Sequence, residues 1–456
     1  MKEKGQQKAK AIVEMENLEQ LNLNAAGLDI GAEEIYACVP VGRDTETVRC
    51  FKSFSADLRE LAAWLKQCGI TTVAMESTGV YWIPVYEILA EAGFELYLVN
   101  ARHLKNVSGR KSDVLDCQWI QRLHTYGLLQ GSFRPDEAIC GLRERIRQRD
   151  MLISYRSSHI QHMQKALEQM NLKLTVVVAD ITGVTGLTII RAILGGEHDP
   201  QTLASYRHPS CARSEHEIAK ALDGNYRAEH LFTLQQAVEL YDFYTMQIQK
   251  CDETIEAQYS TFTPQIDIDL TPLPPPRVRE RPGKGNTPTF DLRRHLYQMA
   301  GVDLTQIDGV NVLTAQKIIS EIGLDMSKWP TVKHFTSWLN LCPNNQITGG
   351  KVIKRSRKKR SNPAAQALSM AAQSLNRSQS ALGAFYRRMR AKHGPQKANV
   401  AASHKLARII YFMLKNKTPY RDIGSSQYEQ QQRQRQIRNL HRQAQRLGYS
   451  IEPALS

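Results

Sequence analysis

No apolar run in this 456-residue sequence approaches the ~18 residues that a membrane-spanning helix needs, so a bilayer span is excluded from the reading. The first residues, Met1 to Glu19, are polar and lack the apolar core of a secretion signal, which points to a cytosolic protein. The eight cysteines include no Cys-x-x-Cys pair, so neither a zinc site nor a disulfide framework is indicated. Acidic residues become scarce in one region only. From Lys351 to Ser456 there are 3 Asp or Glu against 23 Lys or Arg, whereas the chain as a whole is +15 and everything before Lys351 is mildly acidic. One strongly cationic end calls for a polyanionic partner, most simply nucleic acid.

What is present begins with alternation. Ala25 to Ile30 reads as a short buried strand ended by Gly31, and Glu34 to Gly42 and Thr47 to Phe54 read as two more, joined by a turn at Arg43–Glu46. Ala56 to Cys68 is an amphipathic helix with Leu58, Leu61, Trp64 and Leu65 on one face. Thr71 to Met75 is a fourth strand, Val80 to Ala92 a helix, Glu95 to Val99 a fifth strand, and Val114 to Leu129 a helix opened by Lys111-Ser112-Asp113. Three meandering strands followed by two helix-connected ones give the connectivity of a ribonuclease-H-like fold.

The expected organisation has six parts: a flexible leader at 1–23, the α/β domain at 24–135, a helical stalk with an insert at 136–262, a Pro-rich linker at 263–289, a mainly helical C-terminal domain at 290–420, and a basic tail at 421–456. The stalk follows from two heptad seams, one through Leu142, Ile146, Ile153, Ile160, Met163 and Leu167, the other through Leu231, Leu234, Val238, Tyr241, Ile248 and Ile255. They pair as an antiparallel coiled coil that either dimerises or only spaces domains. Arg149 and Arg156 fall in the first seam, where they snorkel or open it to phosphate. Leu304 to Gly323 has the pattern of a helix-hairpin-helix, whose glycine turn lets backbone N–H groups meet a phosphate. Cys342 to Gly350 reads as a loop, Lys351 to Arg360 is seven-tenths basic, and Gln427 to Arg446 is a Gln/Arg helix, either mobile or ordered by a partner.

Four carboxylates stand out. Asp29 lies mid-strand among apolar neighbours, where a lone carboxylate is costly. Glu76 ends the fourth strand, and Asp113 and Asp116, three apart at a helix start, share one face. In the expected sheet the first and fourth strands are neighbours, so all four meet at the carboxyl ends of those strands. Such a cluster repels itself unless cations hold it, and all-oxygen ligands suit Mg²⁺ or Mn²⁺. Two such ions roughly 3.5–4 Å apart clamp the attacking and leaving oxygens of a phosphodiester exchange.

These residues resemble the DEDD transposases of insertion sequences, with a RuvC-like N-terminal domain, a family that includes the bridge-RNA-guided serine recombinases. The resemblance rests on Gly27-Leu28-Asp29-Ile30-Gly31, on Met75-Glu76-Ser77-Thr78-Gly79-Val80-Tyr81-Trp82 and on Lys111-Ser112-Asp113-Val114-Leu115-Asp116. It continues through Leu341-Cys342-Pro343, Thr348-Gly349-Gly350-Lys351 and Ala384-Phe385-Tyr386. It implies a metal-dependent DNA recombinase of bacterial or archaeal nucleoids in which Asp29, Glu76, Asp113 and Asp116 bind divalent metal. It also implies a C-terminal hydroxyl that attacks DNA and becomes covalently linked to it, a structured RNA that pairs with donor and target DNA, and a composite site in a homodimer or tetramer. The family's serine before the first glycine is here Thr348, so the nucleophile is Thr348 or a neighbour, Ser356 or Ser361. Lys351, Lys354, Arg355, Arg357, Lys358, Lys359 and Arg360 follow as phosphate contacts. Two rival readings use the same residues: a metal-dependent junction endonuclease that hydrolyses without an adduct, and an inactive nucleic-acid-binding scaffold.

Overall fold

A computed structural model describes residues 19–77, 79–100, 113–129, 131–277, 283, 285–342, 344–348, 351–356 and 362–450; at 113–115, 344–347 and 351–356 it describes the backbone alone. The greater part of the expected leader, the Lys111-Ser112 pair, Arg357 to Arg360 and Ser361 lie outside the described residues. The chain divides into two compact units, one ending at Arg134 and one beginning at Pro135. No helix among the described residues is long and apolar enough to cross a membrane.

The first unit is built on five strands: β1 (Ala25–Ile30), β2 (Glu34–Cys38), β3 (Val48–Lys52), β4 (Thr72–Glu76) and β5 (Glu95–Val99). Their order across the sheet is β3-β2-β1-β4-β5. The first three pair antiparallel, and β4 joins β1 and β5 in parallel. This mixed sheet agrees with the expected α/β class and is consistent with a ribonuclease-H-like fold. Helices α1 (Ser55–Gln67) and α2 (Trp82–Glu91) make the crossovers, and α3 (Asp113–Thr125) follows β5. Leu28, Ile30, Val73 and Met75 point to one face and pack with Leu58, Leu61, Trp64, Leu65 and Leu89 of α1 and α2. Fully burying each such side chain contributes roughly 1.5–3 kcal/mol. Alternation sends Ala74 and Val99 to the other face, where they meet Ile120 and Leu123 of α3.

In the second unit α4 (Glu137–Gln169) is followed by four short helices, α5 (Leu174–Val177), α6 (Val184–Leu194), α7 (Pro200–Ser205) and α8 (Glu215–Ala221), and then by α9 (Ala228–Tyr259). The two long helices run antiparallel: Arg145 bonds Gln258 at 3.0 Å, and Tyr155 lies 5.6 Å from Tyr244. The short helices pack at one end of the pair around Leu167, Leu172, Ile190 and Leu234. The expectation for Arg149 is corrected. It neither snorkels nor waits for phosphate, but is buried against Asp252, with Nη2 also donating to the Asn286 carbonyl at 2.9 Å. Arg156 donates to the Asn286 side chain at 2.9 Å and lies over the Tyr241 ring.

Beyond α9, the Pro274 and Pro275 carbonyls accept from Arg293 and Gln306, at 2.7 and 3.2 Å. Then come α10 (Leu292–Ala300), α11 (Val312–Ile322), α12 (Val332–Trp338), the hairpin β6 (Asn344–Thr348) and β7 (Lys351–Ser356), and the helices α13 (Pro363–Ser374), α14 (Ala381–His393), α15 (Pro395–Asn416) and α16 (Ser425–Arg446). Two expectations change here. The first arm of the supposed helix-hairpin-helix is one 3-10 turn, Leu304–Gln306. Its glycine, Gly309, has φ 84° and is pressed to α13, where a Cβ would stand 2.5 Å from the Ala371 carbonyl oxygen. The segment expected as a loop before Lys351 is strand β6, paired antiparallel with the basic β7.

Candidate active site

The carboxylates are placed by the sheet. Leu28 of β1 pairs with Met75 of β4, so Asp29 and Glu76, one step further along parallel neighbours, stand side by side at the carboxyl ends of both strands. Leu28 and Met75 are fully buried toward α1 and α2, so alternation turns Asp29 and Glu76 to the face covered by α3. The end of β4 is held by Ser77, whose N–H and hydroxyl both donate to the Val99 carbonyl, at 2.9 and 3.1 Å.

Gly27 brings α3 close. A Cβ there would lie 2.2 Å from the backbone nitrogen of Gln121 and 2.5 Å from the carbonyl oxygen of Cys117, so the helix rests on the bare strand. Gln121 also reaches back to the Ala25 carbonyl at 3.4 Å. The helix therefore runs opposite in sense to β1, and its N-terminal turn, with Asp113 and Asp116, lies toward the end of β1 that carries Asp29. Asp29, Glu76 and Asp116 all have polar or electrostatic partners, Asp116 being exposed. The side chain of Asp113 is outside the described residues. A hydrogen bond with Cys38, reinforced by burial and by the charges of Cys38 and Asp29, pushes the Cys117 thiol up. It stays neutral beside the carboxylate.

The far end of α3 is locked by a neutral histidine. His124 is buried, its Nε2 is 2.8 Å from the Thr72 hydroxyl, and its ring lies 4.8 Å from that of Tyr97. Burial pushes its pKa down to about 4. The Asn22 side chain donates to the His124 carbonyl at 2.7 Å.

The donor chemistry of Asp29, Glu76, Asp113 and Asp116 is all oxygen, which fits a hard divalent cation; Asp29 and Glu76 share the carboxyl ends of β1 and β4. Among the described residues, no three His, Cys, Asp or Glu side chains close on one metal-sized point. The fit therefore rests on donor type and strand register.

In the second unit Thr348 is exposed at the end of β6 and pairs with Lys351, the first residue of β7. Lys354 and Arg355 lie along β7 in register with Gln346 and Asn345, and Ser356 ends the strand opposite Asn344. The structure thus puts Thr348 and the first cations of the basic run on one hairpin.

Sequence reasoning missed a second cationic cluster. The Lys405 Nζ of α15 lies 4.6 Å from the ring of Phe385 and 5.1 Å from that of Tyr428; the Arg388 guanidinium lies 5.9 and 5.6 Å from the same rings. Arg388 also donates to Gln432 of α16 at 2.6 Å. Burial, and then the charges of Arg388 and Arg435, hold Lys405 below the usual lysine range. These residues come from α14, α15 and α16, so nothing in any one stretch announces the cluster. The available signal was the Arg387-Arg388 pair following Phe385 on one helix.

Residues 26–172 match a family model described as a transposase, of the DEDD type of IS110 elements, and residues 301–387 match a model described as the transposase IS116/IS110/IS902 family. Together the two segments span just over half of the chain. No curated protein matches it.

Proposed function

The chain belongs to the IS110 family of transposases, and from that premise we propose that it cuts and rejoins the DNA of a mobile element through a covalent protein–DNA intermediate. The observation that carries this reading is the register of Asp29 beside Glu76 at the carboxyl ends of β1 and β4, with the start of α3 laid toward them. Asp29, Glu76, Asp113 and Asp116 would hold a divalent cation, Mg²⁺ or Mn²⁺. When bound, such an ion supplies Lewis-acid stabilisation of the charge that develops on phosphate oxygens.

Thr348 is the proposed nucleophile. Its exposed position at a hairpin end leaves the hydroxyl accessible to a DNA backbone. As its Oγ bonds to phosphorus, a phosphate–sugar oxygen bond breaks, and the released sugar hydroxyl takes up the proton that the threonine gives up. Attack by a second DNA end on the same phosphorus reforms a phosphodiester and frees Thr348. Lys351, Lys354, Arg355, Arg357, Lys358, Lys359 and Arg360 bind the flanking phosphates and steady their charge. A methyl group beside the hydroxyl crowds in-line attack, so Ser356 and Ser361 remain the alternative nucleophiles. A structured RNA pairs with donor and target DNA, and the chain works as a homodimer or tetramer.

The test is covalent trapping. Protein, Mg²⁺, end-labelled element DNA and the RNA transcribed from the element are mixed and denatured, and label migrating with protein is mapped by mass spectrometry. Thr348→Ala is expected to abolish the adduct, and omission of the RNA to reduce it strongly. An adduct on Ser356 or Ser361 would keep the reaction and move the nucleophile. Clean cleavage with no adduct in any sample would overturn the covalent mechanism in favour of a hydrolytic endonuclease.

A further inference from the structure

Among the described residues, helix α16 (Ser425–Arg446) buries Tyr428 at its root and, near its far end, Ala444. Tyr428 is buried against Ala381, Ala384 and Phe385, and Gln432 meets Arg388. From Arg433 to Arg446 every residue but Ala444 is exposed, including Ile437 and Leu440, at 45 % and 53 %. A helix so bare draws little from packing, and stretches shorter than ~12–15 residues are marginal in water without it. Its charge makes matters worse. Arg438, Arg442 and Arg446 stand four apart on one face, and like charges at that spacing repel. The single acid in α16 is Glu429, against five arginines.

A second copy of α16 cannot supply the missing partner, because pairing two such helices would double the repulsion. A polyanion removes it. The side-chain chemistry says which polyanion. The cations of α16 are all arginine, with no lysine, interspersed with glutamines and Asn439. Arginine pairs bidentately with guanine, and Asn or Gln with adenine, at major-groove edges. The major groove of B-DNA is about 12 Å wide and admits an α-helix, whereas that of A-form RNA is too deep and narrow. At the root, Arg388 and Lys405 crowd on the Phe385 and Tyr428 rings, and a groove of ≈ 580 Å³ between α14 and α16 is lined by Arg387, Arg388 and Arg433 with one acid, Glu429.

We propose that α16 is a duplex-DNA-reading helix: its exposed half, Arg433 to Arg446, enters the major groove, and the cations at its root hold a backbone phosphate. The Gln427–Arg446 tract thereby gains a function separate from the carboxylates and from the basic run after Thr348. From the reading above, this inference takes only that DNA is a partner.

The experiment measures binding, not recombination. Full-length protein is titrated by fluorescence anisotropy against a labelled mixed-sequence DNA duplex of about three helical turns and against an RNA duplex of the same sequence, over a range of salt. The variant R438Q/R442Q/R446Q should bind the DNA about ten- to a hundredfold more weakly, and its log–log salt slope should be shallower by roughly 2–3. RNA binding should be unchanged. Wild-type protein should also protect guanine N7 from methylation in the DNA duplex, and the variant should not. Equal DNA affinity and slope for the two proteins would overturn the proposal. So would an equal loss on RNA, absence of N7 protection by wild type, or a change in oligomeric mass confined to the variant. A chain that binds DNA in this way yet forms no adduct would leave the proposal standing and remove the covalent mechanism.

Discussion

Helices α3 and α16 handle charge in opposite ways. The first rests on a sheet so closely that Gly27 has no room for a methyl group, and carries acids toward two more acids on strands whose neighbours are fully buried. The second carries five arginines on a rod whose buried side chains are Tyr428 at its root and Ala444 near its end. The difference follows from what each charge meets. Carboxylates on neighbouring strands repel one another at short range, and only a stiff frame keeps them close. Arginines aimed at a long polyanion lose little hydration before it arrives, so they need reach more than rigidity. The acidic edge is therefore expected to be sensitive to small changes in packing, and the basic helix indifferent to them.

The largest break in that comparison is Gly27→Ala. The new methyl would overlap the α3 backbone at Gln121 and Cys117. Overpacking at a site bounded by backbone costs about 3 kcal/mol, which urea denaturation of the variant would register. Nearly unchanged stability would mean that α3 floats on the sheet and that its carboxylates are not held.

A comparable effect comes from His124 through pH. Its folded-state pKa is pushed down to about 4 from 6.5, so in that interval the unfolded chain binds a proton that the native one refuses. The stabilising contribution is fully present above pH 6.5 and is lost as pH falls toward 4, by about 3 kcal/mol in all. His124→Phe should flatten the stability profile across that window. An equally steep decline in the variant would place the acid sensitivity elsewhere.

The smallest effect sharpens the contrast from the other side. R438Q/R442Q/R446Q should move the unfolding free energy by less than about 0.5 kcal/mol, as surface changes away from packing do. A large loss of stability would show α16 to be a structural strut and not a free arm.

The parts of this molecule that a sequence discloses are those with a short physical period. Alternation at Ala25–Ile30 and Glu34–Cys38 and the amphipathic face of Leu58, Leu61 and Leu65 predict the sheet and its first crossover, and the mixed sheet with a helical remainder is what the structure has. The β6–β7 hairpin was missed because Asn344-Asn345-Gln346 and Lys354-Arg355-Ser356 have no apolar face to alternate. A Gly-Gly pair between two runs is a hairpin signal nonetheless, and it was there to be read. Arg149 looked like a stray cation because its partner, Asp252, is 103 residues away. The Arg388–Lys405–Arg435 cluster is assembled from three helices, and no local pattern encodes it. The carboxylates were legible as candidates from their positions in the expected strand order, and the structure adds the register that sets Asp29 beside Glu76.

The central claim is that this acidic edge drives DNA strand cleavage. The most direct measurement is the yield of covalent protein–DNA adduct formed by Asp29→Asn, normalised to wild type, with folding checked by circular dichroism and DNA binding by anisotropy. The account predicts a loss of at least about a hundredfold in adduct, with fold and affinity retained. An undiminished adduct would contradict it and leave the four carboxylates without a part in the chemistry.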